Sequence, residues 1–129
     1  MKVAALPLVL LMSIASFATT TFTNAGKYCG GPSQRIICTY MPASIGGYLS
    51  FEFDPSGYYG GSSVTLPDGS KFTDVTWTVS HIPGSTYYQY DGVFGGGQYH
   101  TTQVMQLSCR SGRGGGCAWV DHGGTTSMP

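Results

Sequence analysis

The sequence predicts a small all-β domain, a disulfide-stapled sandwich or barrel of about six to eight short antiparallel strands. Apolar and polar residues alternate with a period of two along much of the chain, and turn residues recur at short intervals. No stretch after residue 18 carries the apolar stripe of an amphipathic helix. The chain of 129 residues also contains four cysteines, which suggest a disulfide framework.

The first 18 residues have the features of a secretory signal peptide. Lys2 gives a positive start, an apolar run follows, and small residues flank Phe17 at the end of the segment. We therefore expect cleavage after Ala18 and a single secreted, extracellular domain over residues 19–129. Export would place the cysteines in an oxidising compartment, where they form disulfides.

The four cysteines are Cys29, Cys38, Cys109 and Cys117, and the sequence does not choose among their three possible pairings. A local pairing, Cys29 with Cys38 and Cys109 with Cys117, would close two short loops. A nested pairing, Cys29 with Cys117 and Cys38 with Cys109, would join the two ends of the domain and restrict the unfolded chain more. We favour the local pairing because each pair brackets a glycine-rich turn.

Alternation predicts which side of each strand is buried. The expected core residues are Leu49, Phe51 and Phe53 in residues 48–54, and Val75, Trp77 and Val79 in residues 73–80. The opposite side of the first strand, with Glu52 and Asp54, is expected to meet solvent. Further strands are expected where β-branched and aromatic residues concentrate, at 35–40, 63–66, 87–90, 99–107 and 118–120.

Proline and glycine predict where the strands turn. Pro67-Asp68-Gly69 indicates a tight hairpin, and Pro83-Gly84 suits the centre of a type II turn. Residues 19–26 and 123–129 offer few residues for a core, so we expect both ends of the mature chain to be loose.

The charges exclude some classes of partner. Without Lys2 the chain has five basic and six acidic side chains, and the basic ones are not clustered. Binding to nucleic acid or to an anionic membrane surface depends on clustered cations, so neither is an expected partner. The apolar leader is too short for a stable membrane span, and no second apolar run follows it. No cofactor is predicted.

Few residues are candidates for catalysis or metal binding. Glu52 and Asp54 could form an acid/base pair or hold a hard metal ion, but an ordinary polar strand face is the favoured explanation. The histidines His81, His100 and His122 lack a zinc-binding spacing, so no metal site is predicted. No serine lies in a nucleophile elbow.

One segment suggests a ribonuclease. YLSFEF, residues 48–53, resembles the strand around the catalytic glutamate of the small fungal guanyl-specific ribonucleases, which also have four cysteines. Glu52 would then be the general base, His81 or His100 the general acid, and Arg110 would stabilise the phosphate. In that family a histidine precedes the glutamate and a helix is present. Here both histidines follow Glu52, and no helix is predicted.

Surface recognition is the other possibility. Nine tyrosines lie in and beside glycine-rich turns, where their rings supply contact area at low entropic cost. We expect Tyr58, Tyr59 and Tyr99 to be exposed and to contact a protein or a glycan. The late glycine-rich loop carries Arg110 and Arg113, whose guanidinium groups could bind a carboxylate or a phosphate.

The chain as a whole resembles the small cysteine-containing secreted proteins of filamentous fungi, in its leader, its length, its cysteines and its richness in Gly, Tyr, Ser and Thr. Many of these are effectors or elicitors that plant pathogens deploy against their hosts. The fungal β-barrel allergen and elicitor group is similar in its glycine-containing loop between late cysteines, here Cys109 to Cys117. The resemblance implies a virulence-type, non-enzymatic protein that binds an extracellular or host protein. The alternatives are a carbohydrate-binding module for cell-wall glycans and a small secreted ribonuclease.

Overall fold

The computed structural model describes residues 19–32, 34–112 and 115–129. Within these ranges it has ten strands and no helix, which confirms the all-β class. The number of strands exceeds the expected six to eight partly because the N-terminal segment forms strands that the sequence did not predict. The expected leader and Arg113 lie outside the described residues.

The strands are, in chain order, β1 (Thr20–Asn24), β2 (Lys27–Cys29), β3 (Ile36–Pro42), β4 (Tyr48–Phe53), β5 (Ser63–Thr65), β6 (Lys71–Phe72), β7 (Thr76–His81), β8 (Tyr87–Phe94), β9 (Tyr99–Cys109) and β10 (Cys117–Met128). All strand pairs are antiparallel. A six-stranded sheet has the order β1-β10-β9-β8-β7, with β2 also paired to β10, and a four-stranded sheet has the order β3-β4-β5-β6.

The two sheets share one hydrophobic core. The six-stranded sheet contributes Phe22, Tyr90, Phe94, Met105 and Trp119, and the four-stranded sheet contributes Ile36, Met41, Leu49, Phe51 and Val64. Along one side the sheets are also joined by isolated bridges, from Asn24 to Ala43 and from Gly30 to Ile37. The architecture is therefore a β-sandwich, one of the two architectures that the strand patterns predicted.

Both disulfides follow the local pairing. Cys29 bonds to Cys38 and so connects β2 of the six-stranded sheet with β3 of the four-stranded sheet. Cys109 bonds to Cys117, its direct partner in the β9–β10 pairing. The first disulfide therefore joins the two sheets, whereas the second closes the end of one hairpin.

Residues 19–26 and 123–129 are not loose, contrary to the sequence-based expectation. β1 pairs with the second half of β10 over five residues, from Thr20 opposite Met128 to Asn24 opposite Gly124. Phe22 and Thr126 are fully buried there. The prediction was wrong because it considered only the composition of each segment. The two segments form backbone hydrogen bonds with each other.

The burial that alternation predicts is correct for the core-facing residues of β4 and wrong for Asp54 and Val79. Leu49 and Phe51 are buried, and Phe53 packs against the core. Asp54 is not exposed but buried, because it lies past the end of β4 and turns into a loop. Val79 is 40% exposed, because β7 is the edge strand of its sheet.

The indole ring of Trp77 covers Gly92 on the neighbouring strand. Trp77 lies opposite Gly92, and a side chain at Gly92 would meet the indole ring at 2.9 Å. The same ring packs against Phe51 and Phe53.

We expect Trp77→Ala to lower the free energy of unfolding by about 2–4 kcal/mol, because the variant loses these contacts. Urea unfolding measures this cost. Thr78→Ala, an exposed site on the same strand, is the control and should cost below about 1 kcal/mol, and equal costs would contradict the assignment.

Candidate functional site

The outer side of the four-stranded sheet carries most of the residues that could bind a ligand. Leu49 and Phe51 face the core, so the alternation of β4 turns Tyr48, Ser50 and Glu52 outward. The neighbouring strands place hydroxyl groups beside them, since Ser50 lies opposite Thr65 and Glu52 opposite Ser63. A depression of about 130 Å³ lies at this point, lined among others by Ile37, Thr39, Ser50, Glu52, Ser63 and Thr65.

Glu52 forms an ion pair with Arg35, whereas the sequence had suggested that it pairs with Asp54. Arg35 donates from Nε to Oε1 and from Nη2 to Oε2 of Glu52, both at 3.2 Å. The same guanidinium lies 4.5 Å from the ring centroid of Tyr59. Arg35 is therefore fixed between a carboxylate and an aromatic face, and its charge is balanced locally.

Asp54 shapes the loop that follows β4. Its carboxylate accepts hydrogen bonds from Ser56 Oγ at 2.7 Å, from Tyr59 N at 2.8 Å and from Gly61 N at 3.3 Å. Burial acts to raise the pKa of Asp54, but these hydrogen bonds outweigh it and hold the pKa below the ordinary value. Asp54 thus organises the loop, and the structure does not pair it with Glu52.

Two pairs of tyrosines lie at opposite ends of β4. Beyond its last residue, Tyr58 and Tyr59 pack edge to face with ring centroids 4.9 Å apart, and Tyr58 is 82% exposed. At the other end, Tyr48 is the first residue of β4 and packs in the same way against Tyr40, with ring centroids 6.0 Å apart. The two ends of β4 are about 17 Å apart along the strand. We call this surface, from Tyr40 and Tyr48 across the depression to Tyr58 and Tyr59, the tyrosine-flanked face.

Sequence reasoning found only part of this surface. Tyr58 and Tyr59 are exposed as expected, and the alternation of β4 already turned Tyr48 outward. Tyr40 gave no signal, because it lies at a bulge between Cys38 and Met41, where it adopts a φ of 56°.

Tyr99 is not among the exposed tyrosines. Its ring stacks on Phe94, with centroids 5.2 Å apart, and lies 4.6 Å from the ring of Phe72. Tyr28 is 76% exposed but belongs to the six-stranded sheet, where it lines a different depression together with Arg110 and Ala118.

The residues of the ribonuclease hypothesis are not brought together. Glu52 points outward from the four-stranded sheet. His100, next to the buried Thr101 on β9, points outward from the six-stranded sheet, with Nε2 3.7 Å from Asp91 Oδ1. The shared core therefore lies between the glutamate and this histidine. His81 is on the edge strand of the six-stranded sheet, with Nε2 2.7 Å from the carbonyl oxygen of Ser85.

Arg110 is separate from all of these groups. It lies beside the second disulfide and lines an open depression of about 540 Å³ together with Tyr28, Ser108 and Ala118. The prediction that Arg110 and Arg113 bind an anion together stays a prediction, because Arg113 lies outside the described residues.

Within the described ranges, no three His, Cys, Asp or Glu side chains are grouped as metal ligands would be. The described part of the chain likewise has no helix long and apolar enough to cross a membrane.

Comparison with known proteins assigns no family. No protein-family model matches the chain, and neither the curated proteins nor the solved structures include a significant match. The chain is a small all-β protein with two disulfides. The geometry of the tyrosine-flanked face is therefore the basis for a functional proposal.

Proposed function

We propose that this protein is a secreted, effector- or elicitor-like binding protein without catalytic activity, and that its ligand is a neutral glycan chain. The ligand would lie across the tyrosine-flanked face. The observation that carries the proposal is the layout of that face, in which a polar centre separates two exposed pairs of aromatic rings.

Such a layout complements the two chemical faces of a sugar. The C–H groups of a pyranose ring form an apolar surface that packs on the face of a tyrosine, while its hydroxyl groups need donors and acceptors. The centre of the face supplies both, from the hydroxyls of Thr39, Ser50, Ser63 and Thr65 and from the Arg35–Glu52 pair. Rings at both ends of an extended strand suit a chain of several sugars.

The charge of the face favours a neutral ligand. Arg35 and Glu52 neutralise each other in a bidentate pair, so neither is free to select an anion or a cation. Two lysines remain, Lys71 at the depression and Lys27, whose Nζ lies 5.7 Å from the ring of Tyr40. A nucleic acid or an acidic polysaccharide would need more cations than this face provides.

The same layout argues against a protein as the ligand of this face. Protein interfaces place apolar residues at the centre and polar residues at the rim. Here the polar groups occupy the centre and the aromatic rings the two ends. Binding of a host protein, which the sequence suggested, is therefore the alternative that the test below distinguishes.

Binding to insoluble chitin, β-glucan and cellulose tests the proposal. We expect the purified protein to be retained on at least one of these polymers. We expect Tyr48→Ala and Tyr59→Ala each to weaken retention about tenfold, because a stacked ring contributes about 1.4 kcal/mol. Tyr28→Ala removes an equally large exposed ring from the other sheet and should leave retention unchanged.

Three results would overturn the proposal. One is no retention on any of the three polymers, and another is an equal loss in the Tyr28 and Tyr59 variants. The third is hydrolysis of RNA or of the glycan by the purified protein that Glu52→Gln abolishes, since this would establish an enzyme. Capture of a defined host protein that Tyr59→Ala prevents, without retention on glycans, would establish the protein-binding alternative instead.

A further inference from the structure

The outer edge of β7 is a long strand edge that pairs with no other strand of the described residues. The edge formed by β1 and β2 is bridged to the four-stranded sheet. The edge at β6 has only two residues and carries a lysine. Shortness, charge and coverage are the usual ways in which proteins prevent sheet edges from pairing with other chains. β7 has six residues, no lysine and no proline.

The backbone groups on this edge follow from the pairing with β8. Ile82 N donates to Tyr87 O at 2.9 Å, which marks these two residues as a hydrogen-bonded pair. Hydrogen-bonded and non-hydrogen-bonded pairs alternate along antiparallel strands, so Thr76, Thr78 and Ser80 bond to β8. The N–H and C=O groups of Trp77, Val79 and His81 therefore point away from the sheet.

We propose that this edge binds β7 of a second copy of the same protein, antiparallel and about a two-fold axis at Val79. The three outward residues are symmetric about Val79, so Trp77 of each copy would lie opposite His81 of the other. Every outward N–H would then meet an outward C=O, which is the self-complementarity that a two-fold interface requires. The two six-stranded sheets would become one continuous sheet.

The chemistry of the strand favours a second copy over a foreign segment. Residues 76–80 carry no charge, so two copies of the strand meet without repulsion, and a charged peptide would gain no ion pair from the strand itself. Pairing would also cover part of Val79, which is 40% exposed at the edge. Because six residues form a small interface, we expect the dimer to depend on protein concentration.

Two lysine variants test the proposal. Val79→Lys places a charge at the proposed axis, and Val93→Lys places the same charge on the inner strand β8 at a valine that is 42% exposed. Light scattering across a concentration series should show a dimer for the wild type and for Val93→Lys, and a monomer for Val79→Lys. A wild type that stays monomeric throughout, or an equal effect of the two variants, would overturn the proposal.

Hydrogen exchange tests the register independently of variants. We expect the amides of Trp77, Val79 and His81 to exchange faster in dilute protein and to slow severalfold as concentration rises. The amides of Thr78 and Ser80, which face β8, should be protected at every concentration. A dimer in which Val79 remains unprotected would refute this interface.

Discussion

Removal of the Cys29–Cys38 disulfide by a double alanine substitution is expected to lower the free energy of unfolding by about 3–5 kcal/mol. Loop closure accounts for roughly 2.5–3 kcal/mol of this cost. The rest arises because both cysteines are buried in the core and connect β2 with β3, so their loss removes packed atoms and a link between the sheets.

The second disulfide provides a matched control. Cys109 and Cys117 are separated by 8 residues, against 9 for Cys29 and Cys38, so the loop-closure contributions are nearly equal. Cys109 and Cys117 are exposed at the end of a hairpin, and their removal should cost only about 2–3 kcal/mol. Urea unfolding of both double variants measures the difference. Equal costs, or a larger cost for Cys109–Cys117, would show that the link between the sheets contributes nothing.

A buried carboxyl group is expected to make the protein more stable in mild acid. Asp121 is fully buried and belongs to a polar cluster inside the sandwich with Asn24 and Gln103. Gly123 N donates to its carboxylate, and Gln103, with its amide nitrogen turned toward Asp121, donates to Oδ2 at 2.9 Å. Lys27 lies opposite Asp121 in the β2–β10 pairing, yet its Nζ lies 5.7 Å from the ring of Tyr40.

Burial raises the pKa of Asp121 to about 6, against an ordinary value of 3.8, although hydrogen bonds from Gly123 and Asn24 oppose the shift. The folded state therefore takes up the proton at a higher pH than the unfolded state does. Stability should rise as the pH falls from about 7 to about 4, by at most about 3 kcal/mol from this group. Asp121→Asn has no proton to gain, so this rise should disappear.

Thermal unfolding between pH 4 and pH 7.5 measures the effect. Asp68→Asn is the control, because hydrogen bonds within the turn, chiefly from Ser70, lower the pKa of Asp68 and confine its contribution to more acidic solutions. Asp54 and Asp74 also have lowered pKa values, so stability should fall again below about pH 4. A wild type that loses stability from pH 7 to pH 4, or an Asp121→Asn variant that keeps the rise, would contradict this role of Asp121.

The sequence by itself determined the local features of this protein. Period-two alternation predicted the strands and the buried face of β4, and glycine chemistry predicted two turns. Gly69 and Gly84 adopt φ values of 93° and 74°, and Leu66 N bonds to Ser70 O across the first turn. The local disulfide pairing, which the glycine-rich turns favoured over the nested one, is the pairing observed. These predictions succeeded because each depends on residues that are close together in the chain.

Only the tertiary structure decided which segments meet. It paired β1 with the end of β10, left β7 at an edge and buried Asp121 beside a bulge between Asp121 and Gly124. It also separated Glu52 from His100 and brought two pairs of tyrosines to the ends of one strand. Each of these outcomes depends on backbone pairing between distant residues. Composition and alternation carry no information about that pairing, because a strand shows the same pattern whichever neighbour completes its hydrogen bonds.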